Sequence, residues 1–314
     1  VIRFSRFWND RVDGKLSAMR KLFTVLIDSF VIASRNFTLV YIFLFSLFLL
    51  GSLMSLGGMP EFTLKWALFG LIIVMLYAAI MAGWFNMVGQ ACVQFLEIPK
   101  SEALKQNYVK EAFKRLGDFL PGIGQFFTPV LVAYGVHLAY FALFGWLSRD
   151  LWQKNLPILM RLAGTSVEQS IQFQLSLSLE QQASLGMLTL SILGGLMVYA
   201  LLFLLLMLWP PIVVFYRKNG IEACFGSIRQ FFRDPLRLIA LAGINLAIRI
   251  PLLVIGPLVS GGNPFLSLIY IFLNLLAEVF FTVLIFVYAY QLIGKPIPAP
   301  VETDNEEAAN NPPQ

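Results

Sequence analysis

The sequence predicts an all-α polytopic membrane protein: six transmembrane helices arranged as three hairpins, with amphipathic helices on the cytoplasmic interface. Three observations carry that expectation. Six apolar stretches lie near 37–57, 62–95, 125–147, 185–216, 236–258 and 265–293. Each is long enough to cross a hydrocarbon core about 30 Å thick, which takes roughly 20 helical residues. Hydrophobic residues make up 58% of the 314-residue chain and charged residues 13%, about half the charged fraction of a soluble domain. Runs such as LFLLLMLW and FFTVLIFVYAY lack the alternation of barrel strands. In lipid only helices and closed barrels satisfy their own backbone, so helices are expected.

The elements follow in chain order. Residues 1–36 read as a basic amphipathic cytoplasmic arm, with Arg3, Arg6, Arg11 and Lys15 spread through it. It has no apolar core followed by a small-residue cleavage site, so insertion is expected to use the first span. The six-helix bundle occupies 37–295. Between spans two and three, 101–117 reads as a helix, with Leu104, Tyr108, Ala112 and Leu116 recurring every four residues. Lys105, Lys110, Lys114 and Arg115 fall on its other faces. Pro121-Gly122-Ile123-Gly124 opens span three as a close-approach turn, without the Lys and Ser/Thr that a phosphate loop needs.

The outer loop 148–184 begins with RDLWQKNLPILMRLA, which suits an interfacial helix. Thr165 and Glu168 have capping-box spacing. SIQFQLSLSL alternates as a strand does; an isolated strand has no partner, so a helix from about 166 running into span four is favoured. The loop suits a cap over the outer face or a partner-docking surface. Trp209-Pro210-Pro211 should kink or break span four, and the freed carbonyls then need partners in protein or water. In 219–232, Ile221, Phe225, Ile228, Phe231 and Phe232 share a face. This segment and 101–117 fit interfacial helices with basic residues near anionic headgroups; the alternative is an ordinary connector packed on the bundle. Spans five and six form a tight hairpin with its tip near Gly261. The tail 296–314, rich in proline and acid, buries too little to fold alone.

Lys and Arg concentrate before span one, between spans two and three, between spans four and five, and at Lys295; the opposite side holds Lys65, Arg149, Lys154 and Arg161. The positive-inside rule then puts both termini in the cytoplasm of a prokaryotic cell, with the bundle in the plasma (inner) membrane. The net charge of +5 is a topology signal, split among membrane-flanking segments, and argues against nucleic-acid binding. Cys92 and Cys224 fall near the reducing side, where a structural disulfide is not expected. Aromatics such as Trp66, Trp146, Trp152 and Trp209 suit interfacial belts. His137, the single histidine, is expected to hydrogen-bond a neighbouring carbonyl rather than to ligate a metal, haem or bacteriochlorophyll.

A degenerate threefold pattern divides the chain into units of about 20–96, 101–218 and 219–295. Their approaches to the first span look related: Arg35-Asn36-Phe37, Gly117-Asp118-Phe119-Leu120-Pro121 and Arg233-Asp234-Pro235-Leu236. Such repetition fits three helical hairpins packed as one bundle.

Charges inside spans are costly and are paired or functional. Two lie deep, Arg249 in span five and Glu278 in span six. Asn245 and Asn274 each stand four residues before one of them, on the same helix face. Counting from the hairpin tip gives a polar ladder of Asn245, Arg249, Asn274 and Glu278 with a diagonal Arg249–Glu278 ion pair. It reads as interhelical glue, with a proton or ion relay, or an anion site at Arg249, as the functional alternative. On span two, Asn86, Gln90 and Gln94 form a second stripe near Gly83 and Gly89, either a helix–helix seam or the wall of a water-filled vestibule. No Ser-His-Asp set, HExxH or Walker motif is present. An enzyme is therefore not expected, and no catalytic, cofactor or metal residue is assigned.

The layout of amphipathic approach, Arg/Asp-Pro before a span and three hairpins resembles six-helix bacterial membrane proteins of unassigned function. It also resembles the membrane domain ahead of some glycerophosphodiester phosphodiesterases, though the catalytic domain of those enzymes is absent here. Phe119-Leu120-Pro121-Gly122-Ile123-Gly124-Gln125 with Pro129-Val130-Leu131 is similar to a short segment of CysZ-type sulfate permeases, which implies an anion-permease role. The function expected is a non-catalytic structural or accessory subunit of a larger membrane assembly, with membrane lipids and other membrane subunits as partners. The alternative is a small-solute, anion or ion transporter using Arg249 and Glu278.

Overall fold

A computed structural model describes residues 20–56, 64–98, 102, 108–163, 173, 176–260 and 264–293. Among these residues there are helices and turns and no strand. Five helices are long and apolar enough to cross a membrane, six if one bent pair is a single span. Residues 1–19, the tail from 294, Thr165 and Glu168, half of SIQFQLSLSL and the tip near Gly261 lie outside the described residues.

The bent pair is α1 (Arg20–Arg35) and α2 (Thr38–Leu56), turned by 72° at Asn36. Asn36 Nδ2 donates back to the Ile32 carbonyl at 2.8 Å, which closes α1 where the chain turns. Residues 20–35 of the expected arm are packed: Val25 and Ile32 are in the core, and buried Asp28 accepts from Gln291 Nε2 at 2.9 Å. Span two is α3 (Leu64–Glu97). The expected helix over 101–117 is described from α4 (Tyr108–Lys114), and its last turn, Arg115–Asp118, is 3₁₀. That tightening corrects the place of Arg115, expected among the exposed lysines. Three residues per turn stack positions i and i+3, so Arg115 is buried in an ion pair with Asp118 at 3.2 Å.

Span three is α5 (Phe119–Leu147), and its contact with α3 is the most extensive between any two helices. The small residues explain it. A Cβ on Gly122 would lie 2.5 Å from Asn86 Cβ and 3.0 Å from Gly83 Cα, so only glycine lets the two backbones meet. Asn86 Nδ2 seals the seam by donating to the Asp118 carbonyl at 2.7 Å. Close packing of small residues with a hydrogen bond across the contact therefore holds the two helices together.

Then come α6 (Arg149–Ala163), α7 (Leu179–Leu206), α8 (Trp209–Tyr216), α9 (Gly220–Arg233), α10 (Pro235–Ser260) and α11 (Pro264–Tyr288), closed by a π turn at Ala289–Ile293. Buried Asn155 of α6 donates to Ser184 Oγ of α7 at 3.0 Å. The helix expected from about 166 does not run unbroken into span four. Ser178 is extended and caps α7, with its hydroxyl taking the Gln181 N–H and Gln181 Oε1 taking the Ser178 N–H. This capping box competes with continued helix and sets a new start.

The break expected at Trp209-Pro210-Pro211 falls between α7 and α8. Pro210 and Pro211 bring no N–H to the carbonyls one turn back. Ser227 of α9 bridges the gap: its hydroxyl donates to the Leu205 carbonyl at 2.8 Å and accepts from the Leu208 N–H at 3.0 Å. The chain then reverses through Arg217, in the left-handed region at φ 51°, to Asn219, which caps α9. Gly220 follows because a Cβ there would strike the Pro129 carbonyl of α5. Helix α9 buries its small residues, Gly220, Ala223, Cys224 and Ser227, and exposes Ile221, Phe225 and Phe232. Burial pushes the Cys224 thiol up to about 11.

The core gathers at the end that holds α1, α4 and α9, here termed the basic end. Trp84, Met87, Phe286 and Tyr288 are fully enclosed there. Towards the far end the helices part, and α7 exposes Leu190, Leu193, Met197 and Leu201 along one face. The seam predicts that Gly122→Ala lowers thermal stability by about 1–3 kcal/mol through overpacking. Gly124→Ala, where a Cβ meets nothing within 4 Å, should leave it unchanged or slightly raised. Unfolding of the detergent-solubilised protein followed by circular dichroism checks both.

Candidate functional site

Where the helices begin to part, α2, α3, α5, α7, α8 and α11 enclose a cavity of about 400 Å³. The helix break creates its floor. Trp209, at the start of α8, turns inward and is 5% exposed. This corrects its expected place in an interfacial belt: a residue at a helix break sealed by α9 faces protein, not headgroups. Trp146 is exposed, and the side chain of Trp66 lies outside the described residues.

Aromatic rings form most of the wall. Tyr134 packs edge-on to Trp209 with centroids 5.4 Å apart and lies 5.2 Å from Tyr77. Phe85 meets Trp209 edge-on from below at 5.4 Å. His137 lies between Tyr134 at 6.3 Å and Tyr199 at 6.0 Å. The expectation that His137 bonds a neighbouring carbonyl is not met: its Nδ1 is buried with no hydrogen-bond partner among the described residues. The tyrosines of this wall were not singled out in the sequence. One signal was available, since Tyr134, His137 and Phe141 recur at i, i+3 and i+7 on one face of α5 and all line the cavity.

Among the described residues that line it, helix α11 supplies the one formal charge, Glu278. It forms the expected diagonal ion pair, with Arg249 Nη2 donating to Glu278 Oε2. Arg249 Nε also donates to Asn245 Oδ1 at 2.9 Å. The ladder is shorter than expected. Asn274 turns to the Tyr270 carbonyl of its own helix at 2.9 Å, because the i−4 carbonyl is its nearest acceptor and Arg249 already has two partners. Span-two residues are used elsewhere. Asn86 closes the α3–α5 seam, Gln94 Nε2 donates to Glu111 Oε2 at 2.9 Å, and Gln90 is exposed. None of the three lines the cavity; Asn86 and Gln94 each join α3 to a neighbouring segment and Gln90 does not. Among the described residues no three His, Cys, Asp or Glu side chains converge as metal ligands would.

The pair can orient and hold two helices, and it sets a carboxylate in an aromatic wall. Arg249→Leu should destabilise the protein by about 1–3 kcal/mol by leaving Glu278 without its charged donor. Arg249→Leu with Glu278→Leu should recover part of that loss, because neither charge is then stranded. A thermodynamic cycle from the three variants measures the coupling; simple additivity would show the pair to be incidental.

Comparisons with family models, curated proteins and solved structures find no match to this chain.

Proposed function

We propose that this is an integral protein of a prokaryotic plasma membrane, acting without catalysis as a structural or accessory subunit of a larger membrane assembly. The helices long and apolar enough to cross a bilayer support the placement. In that setting the basic end is cytoplasmic: Arg20 and Lys21 of α1, Lys110 and Lys114 of α4, and Arg229 and Arg233 of α9 are all exposed there. The same elements expose Phe23, Phe30, Phe113, Phe225 and Phe232. Phenylalanine beside lysine or arginine on one exposed face is the composition of an interfacial helix on anionic lipid.

The observation that carries the subunit reading is the division of the molecule. Polar groups at the basic end and at the Arg249–Glu278 pair bond to one another. The far halves of the helices offer apolar faces, broadest on α7. Extraction in a gentle detergent followed by native mass measurement should find the chain with fixed partners at constant stoichiometry. Recovery only as a monomer overturns the reading.

The cavity favours a second reading, transport of a small solute. Glu278 stands in its wall, and aromatic packing of Phe85, Trp209 and Phe286 closes the way to the basic end. Transport would then require movement of α8. Glu278→Gln should abolish uptake by reconstituted vesicles while the protein stays folded; wild-type vesicles that pass no anion, proton or amphiphile remove this reading.

A further inference from the structure

We propose that the cavity beside the Arg249–Glu278 pair is a binding site for a lipophilic organic cation. Three features point to this ligand class. First, the lining is charged in one sense. Among the described residues Glu278 is the carboxylate of the lining, no lysine or arginine lines the cavity, and Arg249 binds Glu278 without being part of the lining. Arg249 engages Oε2 alone, and a carboxylate accepts several hydrogen bonds or contacts at once.

Second, the remaining wall is aromatic on several sides. Tyr77, Tyr134 and Tyr199 come from three helices, with Trp209 beneath and Phe281 beside Glu278. The face of an aromatic ring carries negative potential, and cages of such rings hold quaternary and other bulky cations that cannot be recognised by hydrogen bonds. A neutral aliphatic ligand would be served as well by leucine, and an anion would be repelled by both the carboxylate and the ring faces. About 400 Å³ falls within the range of sites for small organic molecules.

Third, the mouth is apolar. The lining residues Leu138, Phe141 and Phe203 are also exposed at the surface, at 45%, 49% and 37%. With the helices in a bilayer, a ligand enters past these side chains from the hydrocarbon layer, which selects a cation with a lipophilic body. The inference requires the membrane placement and the cavity. It does not require that the protein transports its ligand or has partner subunits.

The test uses two probes of the same shape and opposite charge, tetraphenylphosphonium and tetraphenylborate. Binding to the full chain in detergent and in phosphatidylcholine nanodiscs is followed by calorimetry and by quenching of tryptophan fluorescence. Saturable binding of the phosphonium, at least tenfold tighter than any binding of the borate, is expected. Glu278→Gln should weaken it about tenfold and narrow the gap between probes. Tyr199→Leu should also weaken it, and Arg249→Gln should strengthen it by freeing the carboxylate. Circular dichroism verifies the fold of each variant; if Glu278→Gln does not fold, the opposite effects expected of Tyr199→Leu and Arg249→Gln decide. Equal binding of both probes, no saturable binding, or an Arg249→Gln protein that binds the cation more weakly overturns the proposal.

Discussion

The close approach of α3 and α5 at Gly83 and Gly122 registers the rest of the bundle. Asn86 and Asp118 lock the two helices at one height. From that seam α3 presents Trp84 to α2, where its indole donates to the Leu39 carbonyl at 3.0 Å, and Phe85 to α8 and α11. On the other side Gly89 allows α8 to lie against α3, since a Cβ there would meet Val214 Cγ1 at 2.6 Å. Few side chains are involved, but each sits where two backbones meet. Protein interiors are close-packed and tolerate little added volume, so this inner contact fixes the directions in which the outer halves of the helices diverge.

The second organising feature is the broken fourth span. A continuous helix through 206–210 would have filled the centre of the bundle. Two prolines prevent it, and the surface helix α9 ties the two broken ends together through Ser227, which bonds the Leu205 carbonyl and the Leu208 N–H. The break therefore has a tertiary cost and a tertiary remedy. It turns Trp209 into the floor of a cavity and leaves room above for Tyr134, His137 and Tyr199. Helix α9 is thus tied to the cavity floor on one face while its other face carries Phe225, Arg229 and Phe232 outwards. An exposed amphipathic helix and a cavity floor are thereby joined through the same serine.

Polar residues inside the apolar bundle divide into two kinds. Asn86, Asn155 and Ser227 bind helices at a single contact each. Arg249 and Glu278 do so as well, but one of them also lines a cavity. A half-buried pair of charges is weak evidence for stability by itself, because removing both groups often costs little. Besides holding α10 to α11, this pair stands at the edge of an aromatic chamber.

Much of the fold was legible in the sequence because its signals are local. Apolar length marks a span whatever its neighbours do, and Pro-Pro after Trp209 ends a helix by removing two N–H donors. Arg249 and Glu278 could be matched across a tight hairpin by counting from its tip. Other features were decided only in three dimensions. The role of Asn86 depends on which helix lies opposite, and that is α5, which follows in the chain only after α4 and a 3₁₀ turn. Arg115 turned inward because its turn tightened to 3₁₀, and Asn274 chose its own backbone because Arg249 was already occupied. The cavity was least visible of all: its wall draws residues from six helices, and the space they leave exists only once those helices have been packed.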